Sequence, residues 1–290
     1  MEFVPVAFLD ALCTALDKKD LEQLQELRRR WSSTAEKHYK GRRELEFHMD
    51  VNEDGTEVSI GFFAHLFSYV PSTSLTKYDR VTKIGVGCIQ SADLSEKMPL
   101  SLFRTKVLPP FTSLAANYDF NFHCAEESQK ELAKCLFGSL QGRVKKLCTW
   151  YTGEQCIEFM KQRIRLGALR CLELRNETEW PDSVKPLLNS FLESPSFMAL
   201  DLRESYLTID LDMARCLIER FYNGDLTKAS VRGKPSFSVP ILEDFHRQSI
   251  HFEARVHGPG SHCIAWEGPC SRILYAHLKG GELEFSVLHF

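Results

Sequence analysis

Residues 169–174 read Leu-Arg-Cys-Leu-Glu-Leu. Alternation puts Leu172 and Leu174 on one face and Cys171 and Glu173 on the other, the signature of a strand covered on one side. Similar short runs stand at 120–123, 147–150, 199–202 and 226–231. Aligning Phe122, Leu147, Leu172, Leu200 and Ala229 gives steps of 25, 25, 28 and 29 residues. Between the runs, segments near 126–140, 154–166, 182–192 and 210–222 carry apolar residues at spacings of three and four, which predicts one helix per strand. Such a repeat predicts a parallel sheet lined by helices, a solenoid in the α/β or α+β class. The alternative is a general α/β domain with crossover helices.

Alternation then sorts the side chains. Leu147, Thr149, Leu172, Leu174, Leu200, Leu202, Ala229 and Val231 form the expected inward set. Asn121, His123, Lys146, Cys148, Trp150, Cys171, Glu173, Arg175, Asp201, Arg203, Lys228, Ser230 and Arg232 turn to the other, concave side. Trp and Arg dominate interface hot spots, so Trp150, Arg175 and Arg203 are the candidate anchors for a target protein. The units resemble degenerate leucine-rich repeats. Only 169–174 matches the Leu-x-x-Leu-x-Leu core, and the asparagine ladder of typical repeats is missing.

On the N-terminal side, residues 44–63 alternate around Asp54-Gly55, which predicts a hairpin. Residues 72–78 read as a loop, 83–89 as a strand, and 99–116, with Pro109-Pro110, as an irregular connection. On the C-terminal side, 251–256, 262–266, 272–279 and 282–290 read as strands, with Gly280-Gly281 as a turn. Such a tail would cap an open sheet edge. The chain divides accordingly into a helical segment at 1–43, a β-rich connection at 44–117, the strand-helix repeats at 118–235 and a β-rich cap at 236–290.

The helical segment contains VPVAFLDALCTALDKKDLEQLQELRRRW at 4–31. Pro5 can open a helix, where its missing N–H costs nothing, and Phe8, Leu9, Leu12 and Leu16 share one face. Asp20 is the expected N-cap of a second helix, with Gln23 three residues on and Leu21, Leu24 and Leu27 as its stripe. Ser33 with Glu36 predicts the start of a third, ending at the basic Lys40, Arg42 and Arg43. Three short helices cannot bury much apolar surface by themselves.

Proline, Asp-Leu and Arg-Arg-Trp fall here at fixed offsets. Val4, Pro5, Phe8, Leu12, Leu16, Asp20, Leu21, Leu24, Leu27, Arg29, Arg30 and Trp31 follow the F-box pattern, and this stretch resembles an F-box. Val4 replaces the leucine before the proline, and Arg28 stands where the family often has cysteine. The resemblance implies a three-helix unit that holds Skp1, and through it a cullin, by Pro5, Phe8, Leu12, Leu16, Leu21, Leu24 and Trp31. With the repeats and the tail, the chain resembles the divergent F-box families expanded in nematodes. It implies a substrate-recognition adaptor of an SCF ubiquitin ligase, with an unknown target on the repeats and no bond chemistry of its own. The alternative is a non-ligase scaffold whose F-box-like helices cap the fold or bind another partner.

Composition fits that class. The 290 residues carry a formal charge of −3, which removes the general electrostatic argument for nucleic acid. No apolar run reaches the length of a membrane span, and the apolar start is no secretory signal, because Glu2 replaces a basic region and Asp10 interrupts the run. Ten cysteines without such a signal read as reduced cytoplasmic or nuclear thiols, so Asn176-Glu177-Thr178 is an unused sequon. Gly-x-Ser-x-Gly, a phosphate-cradling Gly-rich loop and His-Glu-x-x-His are all missing. His257, His262, Cys263 and Cys270 lack the paired spacings of a zinc site, so neither metal nor cofactor is expected. Cys148, Cys156 or Cys171 with His123 would make a thiol catalyst only if the fold joined them, and buried structural thiols are the expectation.

Overall fold

The computed structural model describes residues 4–27, 30–65, 68–123, 127–175, 179–245, 249–251 and 262–289. Two compact units divide the chain: Met1–Asn121 with Glu126–Gly142, and Phe122–Ala125 with Arg143–Phe290. The architecture is mixed α/β, with parallel and antiparallel strand pairing.

The first unit opens with α1 (Val6–Ala15), α2 (Lys18–Gln25) and α3 (Arg30–Gly41). The Pro5 carbonyl accepts from the Phe8 and Leu9 amides at 3.0 and 3.2 Å, which starts α1 where the proline fits. Asp17, not Asp20, caps α2: its carboxylate accepts from the Asp20 amide at 2.9 Å, so Lys18 and Lys19 enter the first turn. α3 likewise starts at Arg30, three residues before the expected Ser33. Cys13, Leu21 and Ala35 form the small core of this layer, with Leu16, Leu24 and Tyr39 packed on it.

Next come β1 (Glu44–Val51) and β2 (Glu57–Ala64), the expected hairpin. Gly55 takes φ 68° at its tip, a left-handed value that a side chain disfavours. Asn52 fastens the turn by accepting from the Thr56 and Glu57 amides, both at 2.9 Å. β3 (Ser68–Val70) and β5 (Glu96–Pro99) both pair with β2, while β4 (Arg80–Val86) runs parallel to β1. The segment expected to be irregular is mostly helical. α4 (Leu100–Leu102), a π turn at Phe103–Val107 and α5 (Leu108–Leu114) follow one another, burying Phe103, Leu108, Phe111 and Leu114. Pro109 and Pro110 fit because they sit in the first turn of α5, where no N–H is required. Phe111 and Phe62 each lie 4.3 Å from the Phe47 ring. β6 (Asn117–Phe122) lies beside β4, and α6 (Glu127–Ser139) ties back to β1 through Gln129, whose amide donates to Asp50 at 2.9 Å.

The second unit holds β7 (Arg143–Trp150), α7 (Glu154–Arg165), β8 (Cys171–Arg175), α8 (Val184–Leu192) and β9 (Ala199–Asp201). The short β10 (Thr208–Ile209), α9 (Leu211–Tyr222, capped by the Asp210 carboxylate) and β11 (Ser230–Pro235) follow. β7, β8, β9 and β11 pair in parallel and in chain order, as the repeat predicts. Leu147, Leu172, Leu200 and Val231 form one buried row across them. Val231 therefore takes the place expected for Ala229. Gly224 ends α9 at positive φ, residues 225–229 form a loop whose Leu226 is buried, and parallel pairing with β9 starts only when the Ser230 amide reaches the Met198 carbonyl at 2.9 Å. Lys228 and Ala229 thus lie outside the strand, while the rest of the inward set, Thr149, Leu174 and Leu202 included, is buried.

β12 (Ser249–His251), β13 (His262–Glu267), β14 (Arg272–Lys279) and β15 (Glu282–His289) form an antiparallel meander. Its last strand pairs antiparallel with β11, so the tail covers that edge of the parallel set.

Candidate functional site

The candidate residues lie on two surfaces, one in each unit. On α1 the core side is Leu9 and Cys13, both 1% exposed. The adjoining side presents Phe8, Ala11, Leu12 and Ala15 at the i, i+3, i+4, i+7 spacing of a single apolar row. Phe8 is 56% exposed, Ala11 and Ala15 are exposed, and Leu12 is half-buried. Pro5 is exposed at the start of the row.

The other candidate residues divide by depth. Leu16 and Leu24 are half-buried against the helical core. Leu21, at 0% exposure, is part of that core itself. Trp31 is half-buried with its indole N–H buried and unbonded. Arg28 and Arg29 lie outside the described residues.

Charged groups hold the back of α1. Arg42 donates to the Leu16 and Cys13 carbonyls at 2.6 and 2.7 Å, and Arg80 donates to the Thr14 carbonyl at 2.6 Å. These carbonyls end a helix that has no glycine cap, and two guanidinium groups satisfy them. Burial, with Arg42 beside it, pushes the Arg80 guanidinium down to about 10. Arg43 grips the fully buried Asp79 carboxylate with two bonds, at 2.7 and 2.8 Å. Asp10 accepts from Lys77 at 2.9 Å and stands 2.8 Å from the buried His38 Nε2. Lys77 first, then His38, lowers the Asp10 carboxyl, while burial pushes the His38 imidazole down. Sequence reasoning read Arg42 and Arg43 only as basic residues ending α3 and missed Asp79 and Arg80. Their partners lie far along the chain, and no local pattern announces them.

The second surface is the polar face of the parallel strands in the second unit. Register aligns Cys148, Glu173, Asp201, Arg232 and Glu284 in one row across five strands, with Trp150 beside Arg175 in the next. Ion pairs thread it. Arg175 meets Glu173 at 2.5 Å and Glu204 at 3.2 Å, Arg203 meets Asp201 at 2.6 Å, and Arg232 meets Glu284 at 2.7 Å. Lys146 stands 3.8 Å from Glu173. Asp201 holds the Arg203 guanidinium in its charged form, and despite burial that arginine lowers the Asp201 carboxyl. Trp150 is half-buried with its indole N–H buried and unbonded. The structure thus brings Trp150 and Arg175 side by side, while Arg203 lies just past the end of β9. Asn121 falls in the first unit.

Burial pushes Cys148 up to about 12 and Cys156 up to about 11, and Cys156 contacts Thr149 at 3.6 Å, strand against helix. Burial, with Arg175 next, lowers His123. The nine described cysteines form no disulfide, and among the described residues no three His, Cys, Asp or Glu side chains are grouped to hold a metal ion. His257 lies outside the described residues, as does 176–178; Cys263 is half-buried and Cys270 exposed. Among the described residues no helix is long and apolar enough to cross a membrane.

No protein-family model, curated protein or solved structure matches this chain.

Proposed function

We propose that the chain is a protein-interaction adaptor with no bond chemistry of its own, using one surface for a common partner and another for a target. Within that class, the reading best supported is the substrate receptor of an SCF ubiquitin ligase. The F-box-like helices dock on Skp1, and through it on a cullin. The polar face around Trp150, Arg175 and Arg203, in a repeat set read as leucine-rich-repeat-like, holds the target. Ubiquitin transfer is then accelerated by proximity, because the receptor holds target lysines near the charged conjugating enzyme. The observation that carries the reading is the apolar row Phe8, Ala11, Leu12 and Ala15. It lies on the first of the helices that the F-box pattern gives to a partner, and the neighbouring face of that helix is already filled. An unpartnered apolar helix face of this kind suits a second helix.

The bonds from Arg42 and Arg80 to the end of α1 favour a second reading, in which the helices are an integral cap of the first unit and the chain is a non-ligase scaffold. A pull-down under proteasome inhibition separates the two. Under the adaptor reading the intact chain captures Skp1, a cullin and a target, and a Phe8→Ala, Leu12→Ala variant keeps only the target. Capture of a target without Skp1 by the intact chain supports the scaffold.

A further inference from the structure

The carboxyl end of β4 carries a constellation that the adaptor reading does not use. His48 lies on β1, 4% exposed, with Nε2 3.2 Å from Glu46 Oε2. Lys83 holds that carboxylate at 3.0 Å. Glu46 is an acceptor, so His48 donates through Nε2 and leaves its lone pair on Nδ1. That Nδ1 is buried and has no hydrogen-bond partner.

Gly85 explains where it points. A Cβ on Gly85 would stand 2.5 Å from His48 Nδ1 and 3.0 Å from Cys88 Sγ. The imidazole edge therefore fills the place a side chain would take at Gly85, with Cys88 Sγ beside it, the two atoms no more than about 5.5 Å apart by those distances. Cys88 is the solvent-facing member, exposed three residues beyond Gly85. The Cys88 thiol donates to the Val86 and Asn121 carbonyls at 3.7 and 3.8 Å and makes no hydrogen bond to Nδ1, so sulfur, imidazole and carboxylate are neighbours that a turn of the Cys88 side chain would join as nucleophile, base and a group that orients the base. A buried imidazole stays neutral and able to accept a proton, and the thiolate so formed is the reactive species.

We propose that Cys88 is a reactive-thiol modification site, activated by His48 with Glu46 as positioning residue, and that its reagent is a hydroperoxide. His48 Nδ1 takes the thiol proton. The sulfur attacks one peroxide oxygen, an S–O bond forms and the O–O bond breaks. The departing hydroxide or alkoxide takes the proton from His48 and leaves as water or alcohol. Sulfur is oxidised by two electrons, the peroxide is reduced by two, and Cys88 becomes a sulfenic acid. Acyl transfer would further need preorganised donors for an oxyanion, whereas peroxide chemistry needs only a thiolate and access.

The test exposes the full chain to limiting hydrogen peroxide with dimedone present and follows each cysteine by peptide mass spectrometry. Exposed Cys270 serves as the internal reference. Cys88 is expected to label at least about tenfold faster than Cys270. Glu46→Ala, at a half-exposed position, and His48→Gln should each remove most of that advantage, and Gly85→Ala should do so by placing a methyl group between the two atoms. Should the buried substitutions unfold the protein, Glu46→Ala still decides. Labelling of Cys88 no faster than Cys270 overturns the proposal. So does fast labelling that survives Glu46→Ala in a folded protein, because exposure alone would then explain it.

Discussion

Truncating Phe8 and Leu12 together to alanine tests the α1 surface at little structural risk. Full burial of such a side chain is worth about 1.5–3 kcal/mol. Phe8 leaves 56% of its surface exposed, so a partner that covers it gains roughly half of that range, about 1–1.5 kcal/mol. Leu12 is half-buried and contributes a similar amount, which brings the pair to about 2–3 kcal/mol. At about 1.4 kcal/mol per factor of ten, the double variant should bind Skp1 roughly 30- to 100-fold more weakly. Its melting temperature should barely move, because Phe8 makes little of the core. Leu9→Ala is the counterpart: Leu9 is 1% exposed, and its truncation should cost about 2–5 kcal/mol of stability. Titration calorimetry with purified Skp1, beside thermal denaturation, reads both quantities. Full affinity in a folded Phe8→Ala, Leu12→Ala protein would refute the assignment of this face.

Three other expectations follow from the same geometry. Arg80→Met, which keeps volume but removes the donor, should destabilise the chain by about 1–3 kcal/mol in chemical denaturation, since a buried carbonyl at the end of α1 loses its partner; an unchanged midpoint would mean that water replaces the guanidinium. Burial holds His38, His48 and His123 below the ordinary 6.5, so the unfolded chain takes up protons first: the stability they confer is complete above pH 6.5, declines as pH falls below it, and levels off beneath their folded values. Melting temperature should therefore fall between pH 7.5 and 5.5, and a flat profile would place these imidazoles in water. Trp150→Ala, Arg175→Ala, Arg203→Ala should abolish target capture while Skp1 still binds; retained capture would move recognition to the loops or the C-terminal strands.

The strand-helix repeat was legible because each unit repeats one local rule. Period-two alternation named Leu147, Leu172, Leu174, Leu200 and Leu202 correctly as the covered face, and apolar spacing placed α7 and α9 nearly to their ends. The error at Ala229 is of a different kind. Where pairing begins after α9 depends on how the loop buries Leu226, and nothing in the alternation of 226–231 records that. The segment 99–116 was misread because Pro109-Pro110 signals a break to any local rule, yet two prolines are tolerated in a first helical turn. Residue type singled out Phe8, Leu12, Trp150 and Arg175, and the exposure of Phe8 and the pairing of Trp150 with Arg175 across β7 and β8 are what the structure adds. That Leu21 is buried was not legible, because a stripe shows periodicity and not which of two helix faces is already filled. Arg42, Arg80 and Asp79 were invisible as a set, since each acts on residues brought near only by folding.

The most direct measurement is amide hydrogen exchange of the full chain with and without purified Skp1. The account predicts a 1:1 complex whose added protection is concentrated in α1 and the start of α2, with exchange in α7, α8 and α9 unchanged. No complex, or protection confined to the second unit with α1 exchanging as before, would contradict it.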